Sequence, residues 1–273
     1  MTRYALSAAK PVLSRPDGTV QVGWDPRRAV VVHPPPGVSA GVLAELLRAL
    51  QSAATLSELQ KLAANHGAEE SVVSDLVTQL VSDGVVTVAT PRDTRAASIR
   101  VHGSGPLSDL LIASLRCSGV RLRQSSRPHA GAGGADLAVL TDYLVADPRV
   151  VHDLHEAAVP YLPVRLRDGT GLVGPLVIPG VTSCLRCADL HRSDRDDAWP
   201  AVAAQLCRTV GTADRATVLA TVALALNEID QVLRGVRGDR AAPPSTLDTT
   251  LEFDVTKGAI VARRWSRHPR CAC

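Results

Sequence analysis

Aromatic residues are scarce: Phe, Trp and Tyr together make up 3 % of the 273 residues. Any core must therefore be assembled from Val, Leu and Ala. No apolar run approaches the roughly 20 residues that a membrane helix requires. The formal net charge of +3 is too small by itself to imply a nucleic acid or a membrane surface as partner. No stretch reads as a secretory or transit signal, so the expectation is a cytoplasmic protein with reduced thiols. What is present is enough apolar content, 45 %, for two modest domains, each with its own core.

Four of the six cysteines fall in two short pairs, Cys184-Leu185-Arg186-Cys187 and Cys271-Ala272-Cys273. Each pair offers two soft thiolates from one turn, and together they supply the four vertices of a tetrahedral structural zinc. Two disulfides or plain buried thiols are the alternative. The single residue between Cys271 and Cys273 is tighter than the usual C-x-x-C, which leaves His268 as a substitute ligand; otherwise His268 reads as a solvated tail residue. Cys117 reads as core on an apolar helix face, and Cys207 as a small buried residue.

Residues 1–90 begin as a small sheet, with Val20 to Val22 and Val30 to Val32 joined across Gly23-Trp24-Asp25-Pro26. Three helices follow. The first has Ser39 as N-cap, the second opens on the capping box Thr55-Leu56-Ser57-Glu58, and the third runs from about Glu69 to Ser82 and stops at Gly84. Val85 to Val88 returns as a strand. Hairpin, three helices and closing strand make a winged-helix-like module. Such a module binds DNA by default, but from Thr55 to Gly84 Lys61 stands against Glu58, Glu69, Glu70, Asp75 and Asp83, the wrong balance for neutralising phosphates. A peptide clamp is the remaining reading, in which an extended segment adds to the hairpin edge at Ala29, Val30, Val31 and Val32 and lies along the third helix. Residues 91–97, polar and proline-bearing, read as a linker.

Residues 98–273 open with a strand from Ser98 to Val101, the turn Gly103-Ser104-Gly105-Pro106-Leu107-Ser108, and a helix through Leu110 and Leu115. This is the start of a dinucleotide-fold unit in which Ser108 stands where G-x-G-x-x-G has its third glycine. The next strand, Val120 to Arg123, is followed by no acid that could hold a ribose hydroxyl. A Gly/Ala-rich loop spans residues 127–134. A third strand ends at Thr141-Asp142, and a helix around Val150, a strand from Tyr161 to Val164 and a hairpin across Asp168-Gly169 lead to the first cysteine pair.

In this order, the glycine turn, the strand ending Thr141-Asp142, the run GLVGPLVIPGVTSCLRC from Gly171 to Cys187 and the helix from Val218 to Gly235 resemble the ThiF/MoeB adenylating enzymes. The resemblance implies vestigial nucleotide contacts at Gly103, Gly105 and Asp142, the last matching a magnesium-associated aspartate, although Asp142 reads more simply as a strand-end cap; it also sets Cys207 roughly where some members carry a sulfur-handling cysteine, against its plainer reading as a small buried residue. The ribose acid and the helix that would surround a triphosphate are missing, and one carboxylate with an incomplete glycine turn does not make a magnesium–nucleotide site.

Both halves together, ending in His268-Pro269-Arg270-Cys271-Ala272-Cys273, are similar to the cyclodehydratase C, leader-peptide-binding proteins of thiazole/oxazole-modified microcin biosynthesis. The fold expected is α/β: a winged-helix-like clamp, then a degenerate Rossmann-like ThiF domain with a zinc clip. The function implied is a non-catalytic adaptor. It would hold a precursor leader peptide for a YcaO-type partner that consumes ATP, form a homodimer, and itself need zinc but no ATP or magnesium. An adenylyltransferase using Gly103, Gly105 and Asp142, and a stand-alone interaction protein on the same scaffold, are the alternatives. Arg263, Arg264, Arg267 and Arg270 read as a solvated edge beside an anionic thiolate site.

Overall fold

The computed structural model describes residues 2–89, 96–126, 133–238 and 242–273, and the chain divides into two compact units, residues 1–92 and 93–273. The proposed linker, residues 91–97, lies mostly outside the described residues. Its last residue does not behave as linker: Ala97 is fully buried, and its carbonyl accepts the amide of Arg121 at 2.8 Å.

The first unit runs β1 (Arg3–Ala5), β2 (Val12–Ser14), β3 (Val20–Val22), β4 (Val30–Val32), α1 (Ala40–Gln51), β5 (Ala54–Thr55), α2 (Leu56–Ala64), α3 (Glu70–Ser82) and β6 (Thr87–Ala89). It contains two three-stranded antiparallel sheets, ordered β5-β1-β6 and β2-β3-β4. In the second sheet the register sets Leu13, Gln21 and Val31 in one row. Leu13 and Val31 are exposed, whereas Val20, Val22 and Val32 of the alternate rows are buried. One face therefore packs on the core and the other meets solvent, as period-2 alternation requires.

The core opposite is the apolar stripe of α1, where Leu43, Leu46, Leu47 and Leu50 are all buried. Each leucine contributes about 2 kcal/mol of burial, and truncating one to Ala costs about 2–5 kcal/mol. The caps sit where the sequence places them. Ser39 Oγ accepts the amide of Val42 at 3.3 Å, and Thr55 and Glu58 exchange bonds of 3.2 and 2.7 Å. The closing strand starts later than Val85, because the amides of Val85 and Val86 both turn back to the Leu80 carbonyl at 3.0 Å and finish α3.

The second unit runs β7 (Ser98–His102), α4 (Pro106–Leu115), β8 (Arg121–Ser125), β9 (Leu137–Thr141), α5 (Pro148–Glu156), β10 (Tyr161–Arg167), β11 (Thr170–Val173), α6 (Leu185–Ser193), α7 (Trp199–Leu206), α8 (Arg215–Val236), β12 (Thr249–Asp254) and β13 (Ala259–Arg264). Its seven strands are ordered β13-β12-β11-β10-β9-β7-β8. The four from β10 to β8 are parallel and the rest antiparallel, a mixed Rossmann-like sheet. Of the loop at residues 127–134, residues 127–132 lie outside the described residues.

From β7 the chain moves to β8 on one side and to β9 on the other, so a switch point lies at the carboxyl end of β7, where open α/β sheets bind ligands. On one face of the sheet, Ile99, Val101, Val139, Val164 and Leu166 pack with residues of α4 and α8. On the other, Leu140 and Tyr161 pack with Leu154 of α5 and the first cysteine pair. By length and composition α8 is long and apolar enough to cross a membrane. In the fold it is a core helix against β10, β11 and β12. Its fully buried Glu228 accepts from the Thr246 amide and hydroxyl at 3.0 and 2.9 Å and so fixes the segment leading into β12.

Candidate metal centre and the switch-point crevice

Cys184 is the N-cap of α6, and the amide of Cys187 bonds back to its carbonyl at 3.0 Å, so one turn presents both thiols. The final residues bring Cys271 and Cys273 against them. Sγ–Sγ distances are 3.8 Å for Cys184–Cys187, 3.6 Å for Cys184–Cys271 and 3.4 Å for Cys187–Cys273, and all four sulfurs lie within 4.8 Å of one another. A disulfide needs sulfurs about 2.05 Å apart. A tetrahedron of Zn–S bonds near 2.3 Å has edges of about 3.8 Å, so these donors fit zinc.

Burial pushes the Cys187 thiol up, but backbone hydrogen bonds at Cys184 and His268 and bonds from Cys273 and Cys271 outweigh it and bring it down to about 7. Burial pushes Cys184 and Cys273 upward. A cation is the natural compensation for assembling four thiolates in so small a volume.

The segment carrying Cys271 and Cys273 is held by its own polar contacts. Arg267 donates to the carbonyls of Gly180 and Val181 at 3.0 and 2.7 Å, and Arg270 pairs with Asp194. His268 is not a solvated tail residue: it is 5 % exposed. Its Nδ1 accepts the amide of Arg270 at 3.1 Å, which leaves Nε2 to donate to Asp194 at 2.8 Å. This contact holds the Asp194 carboxyl below its ordinary range. Among the four basic residues read as a free edge, Arg263 is also paired, with Glu252 at 2.7 Å. Cys117 lies beyond the end of α4 and is exposed rather than core.

At the switch point the structure brings Gly103, Gly105 and Asp142 together. Asp142 is 1 % exposed, and its carboxylate accepts the amides of Leu107 at 2.9 Å and Ser108 at 3.3 Å, the free N–H groups that open α4. A helix N-terminus is a ready seat for a phosphate, and here a carboxylate of the same chain occupies it. Gly105 is accounted for by that same carboxylate, and Gly103 by Thr141 together with it. A Cβ on Gly105 would stand 2.8 Å from Asp142 Oδ1, and one on Gly103 would collide with Thr141 Oγ1. Ser108 exchanges bonds with Gly105, 3.0 Å from the Gly105 amide and 2.8 Å to its carbonyl, and closes the turn from inside.

Beside this turn a cavity of about 300 Å³ is lined by His102, Thr141, Tyr143, Arg165, Cys207 and Arg208, among others. Burial, then the Arg100 charge, depresses His102 and keeps its imidazole neutral at pH 7. Burial and the charges of Asp147 and Asp189 push the Cys207 thiol up, so it is protonated and a poor nucleophile. Of these residues the sequence marks only Thr141, as a strand end, and Cys207. The signal for Arg165 was weak: β10 carries two arginines, and only the fold shows that Arg165 is buried while Arg167 is exposed.

The predicted peptide edge, Ala29 to Val32, belongs to the first unit. β4 has β3 as its one partner among the described residues. Val30 is half-buried, Val31 exposed and Val32 buried.

The second unit is thus a Rossmann-like domain with a cysteine clip. No protein-family model matches the chain, and no curated protein matches its sequence. Solved structures do share its fold. The heterocyclase TruD aligns over 100 % of this chain at 17 % identity and a TM-score of 0.66. A heterocyclase solved in complex with substrate and cofactor aligns over 100 % of the chain at 14 % identity and a TM-score of 0.65. MccB of E. coli, solved with ATP, aligns over 100 % of this chain and 99 % of its own at 12 % identity and a TM-score of 0.57. The chain spans 42 % of TruD and 39 % of the second heterocyclase. The resemblance read in the sequence is thereby shown at the level of the fold.

Proposed function

We propose that this protein is a non-catalytic adaptor of azole-modified peptide biosynthesis, which holds a precursor leader peptide on its first unit and presents the core peptide to a YcaO-type cyclodehydratase. The observation that carries the absence of catalysis is the Asp142 carboxylate on the Leu107 and Ser108 amides, where an adenylating enzyme would need an open phosphate seat. β8 supports it, since Arg121-Leu122-Arg123-Gln124-Ser125 offers no acid to a ribose.

The holding role is supported by β4, a short valine strand that has one unpaired edge among the described residues. In a winged-helix-like clamp a leader segment adds there as a further strand, with main-chain bonds giving affinity and the Val30 to Val32 side chains giving register. Tethering a leader raises the local concentration of its core at the partner's active site. The zinc clip keeps the second unit closed, and the assembly is a cytoplasmic homodimer. The two heterocyclases, each more than twice the length of this chain, support a partner of that class.

Isothermal titration of the zinc-loaded chain with ATP and magnesium tests the first half of the reading. The adaptor gives no heat that Asp142→Asn diminishes. Micromolar binding, weakened by Asp142→Asn, establishes an adenylating enzyme instead.

A further inference from the structure

The switch-point cavity carries more positive charge than the fold requires. Arg165, on β10, is 9 % exposed, and among the described residues its one hydrogen bond goes from Nη1 to the Leu144 carbonyl at 3.2 Å. A guanidinium has five N–H donors, and among the described residues no carboxylate pairs with this one. Arg100, on the same face of the sheet, is 4 % exposed, and among the described residues its buried Nη2 has no hydrogen-bond partner. Arg208 lines the cavity from its solvent side.

Asp153 lies near enough to act on the Arg100 charge, whereas the acids beside Arg165 and the glycine turn are engaged elsewhere. Asp147 is paired with Arg149 at 2.8 Å, Asp189 with Arg192 at 3.0 Å and with the Trp199 ring N–H at 3.2 Å, and Asp142 with α4. Burial holds Arg165 down to about 10, so it is still charged at neutral pH. A buried guanidinium without a paired anion is unfavourable, and a bound anion relieves it.

We propose that this cavity binds an oxyanion, the phosphate or carboxylate group of a small ligand, through Arg165 at its base and Arg208 at its mouth. The site is separate from the glycine turn, whose phosphate seat Asp142 has filled. Its volume of about 300 Å³ lies at the small end of ligand pockets and suits a single anionic group with little attached. The inference goes beyond the adaptor reading and does not depend on where a peptide binds.

The test uses the full zinc-loaded chain titrated with inorganic phosphate, acetate and ATP against chloride at equal ionic strength, followed by melting temperature and by heat of binding. Phosphate or acetate raises the melting temperature. Arg208→Gln, an exposed change that leaves the fold intact, weakens the apparent affinity at least fivefold. Arg165→Lys, which keeps the charge and loses the planar fork, weakens it at least tenfold. Arg27→Ala, in the other unit, leaves it unchanged. A stronger response to phosphate assigns a phosphate group, and an equal or stronger response to acetate assigns a carboxylate. No rise with either anion, or a rise that Arg208→Gln does not diminish, overturns the proposal. So does an ATP response that tracks Asp142 rather than Arg165.

Discussion

The Asp142 carboxylate and the Leu107 amide stand 2.9 Å apart, and this contact ties the end of β9 to the start of α4 across the switch point. Asp142 adopts φ +70° to make it, a left-handed conformation that Asp tolerates better than most residues. The bond is a helix cap supplied from a distant strand, and it combines hydrogen bonding with a favourable dipole interaction. Asp142→Asn keeps the size and loses the charge, and chemical denaturation should record a loss of about 1–2 kcal/mol.

The glycine turn gives a sharper test. If Gly105 is required by the nearness of Asp142, then Gly105→Ala is severe alone and milder when Asp142→Ala is already present. The double-mutant cycle should show a coupling of at least about 1 kcal/mol. Additive losses would mean that the glycine serves something other than this contact.

Metal analysis should find one zinc per chain. Stripping it with a chelator should cost several kcal/mol, because assembling four thiolates without a cation is unfavourable. His268 touches this centre without adding a ligand, since its ring orients Asp194 and the Arg270 amide. His268→Ala should weaken zinc about 10- to 100-fold, while thiol titration of the metal-free protein still counts all four cysteines of the clip.

Glu252 links β12 to two arginines, Arg263 at 2.7 Å and Arg167 at 2.9 Å. Burial pushes its carboxyl up, but the bonds from Arg263 and Arg167 outweigh that and hold it below the ordinary glutamate range. A carboxyl lowered on folding stabilises fully above its unfolded value, about 4.3, and loses that contribution as pH falls through the folded value. Glu252→Gln should therefore cost about 1 kcal/mol at pH 7, a small figure because both arginines are largely exposed. In pH-dependent denaturation the gap from the natural protein should close below pH 4.

Much of the architecture was legible because it rests on strong local signals. Ser39, the Thr55–Glu58 box and the 3.6-residue spacing of leucines announce α1 and α2, and the two cysteine pairs announce their own meeting. The strands β1, β2 and β5 were missed since, unlike the equally short valine runs of β3 and β4, Arg3–Ala5, Val12–Ser14 and Ala54–Thr55 carry no β-branched run. His268 was misread because nothing in a tail sequence reveals that Asp194 lies opposite its ring. The role of Asp142 was half visible. The strand end marked it, but only the fold shows that its carboxylate reaches the amides of α4 and closes a site that its own motif seemed to open. Arg165 and Arg208 were invisible as a pair, since β10 and the end of α7 are far apart in sequence.

The central claim is that β4 receives a peptide without any help from nucleotide. Its most direct test is fluorescence anisotropy of the full chain with fluorescein-labelled N-terminal halves of short Cys/Ser/Thr-rich peptides encoded beside its gene. The natural protein and Val31→Lys, an exposed change that places a charge where an added strand would pair, are compared with and without ATP. The account predicts micromolar binding of one such leader, indifferent to ATP and at least tenfold weaker in Val31→Lys. Binding that is equal in both proteins, or that requires ATP, would contradict it.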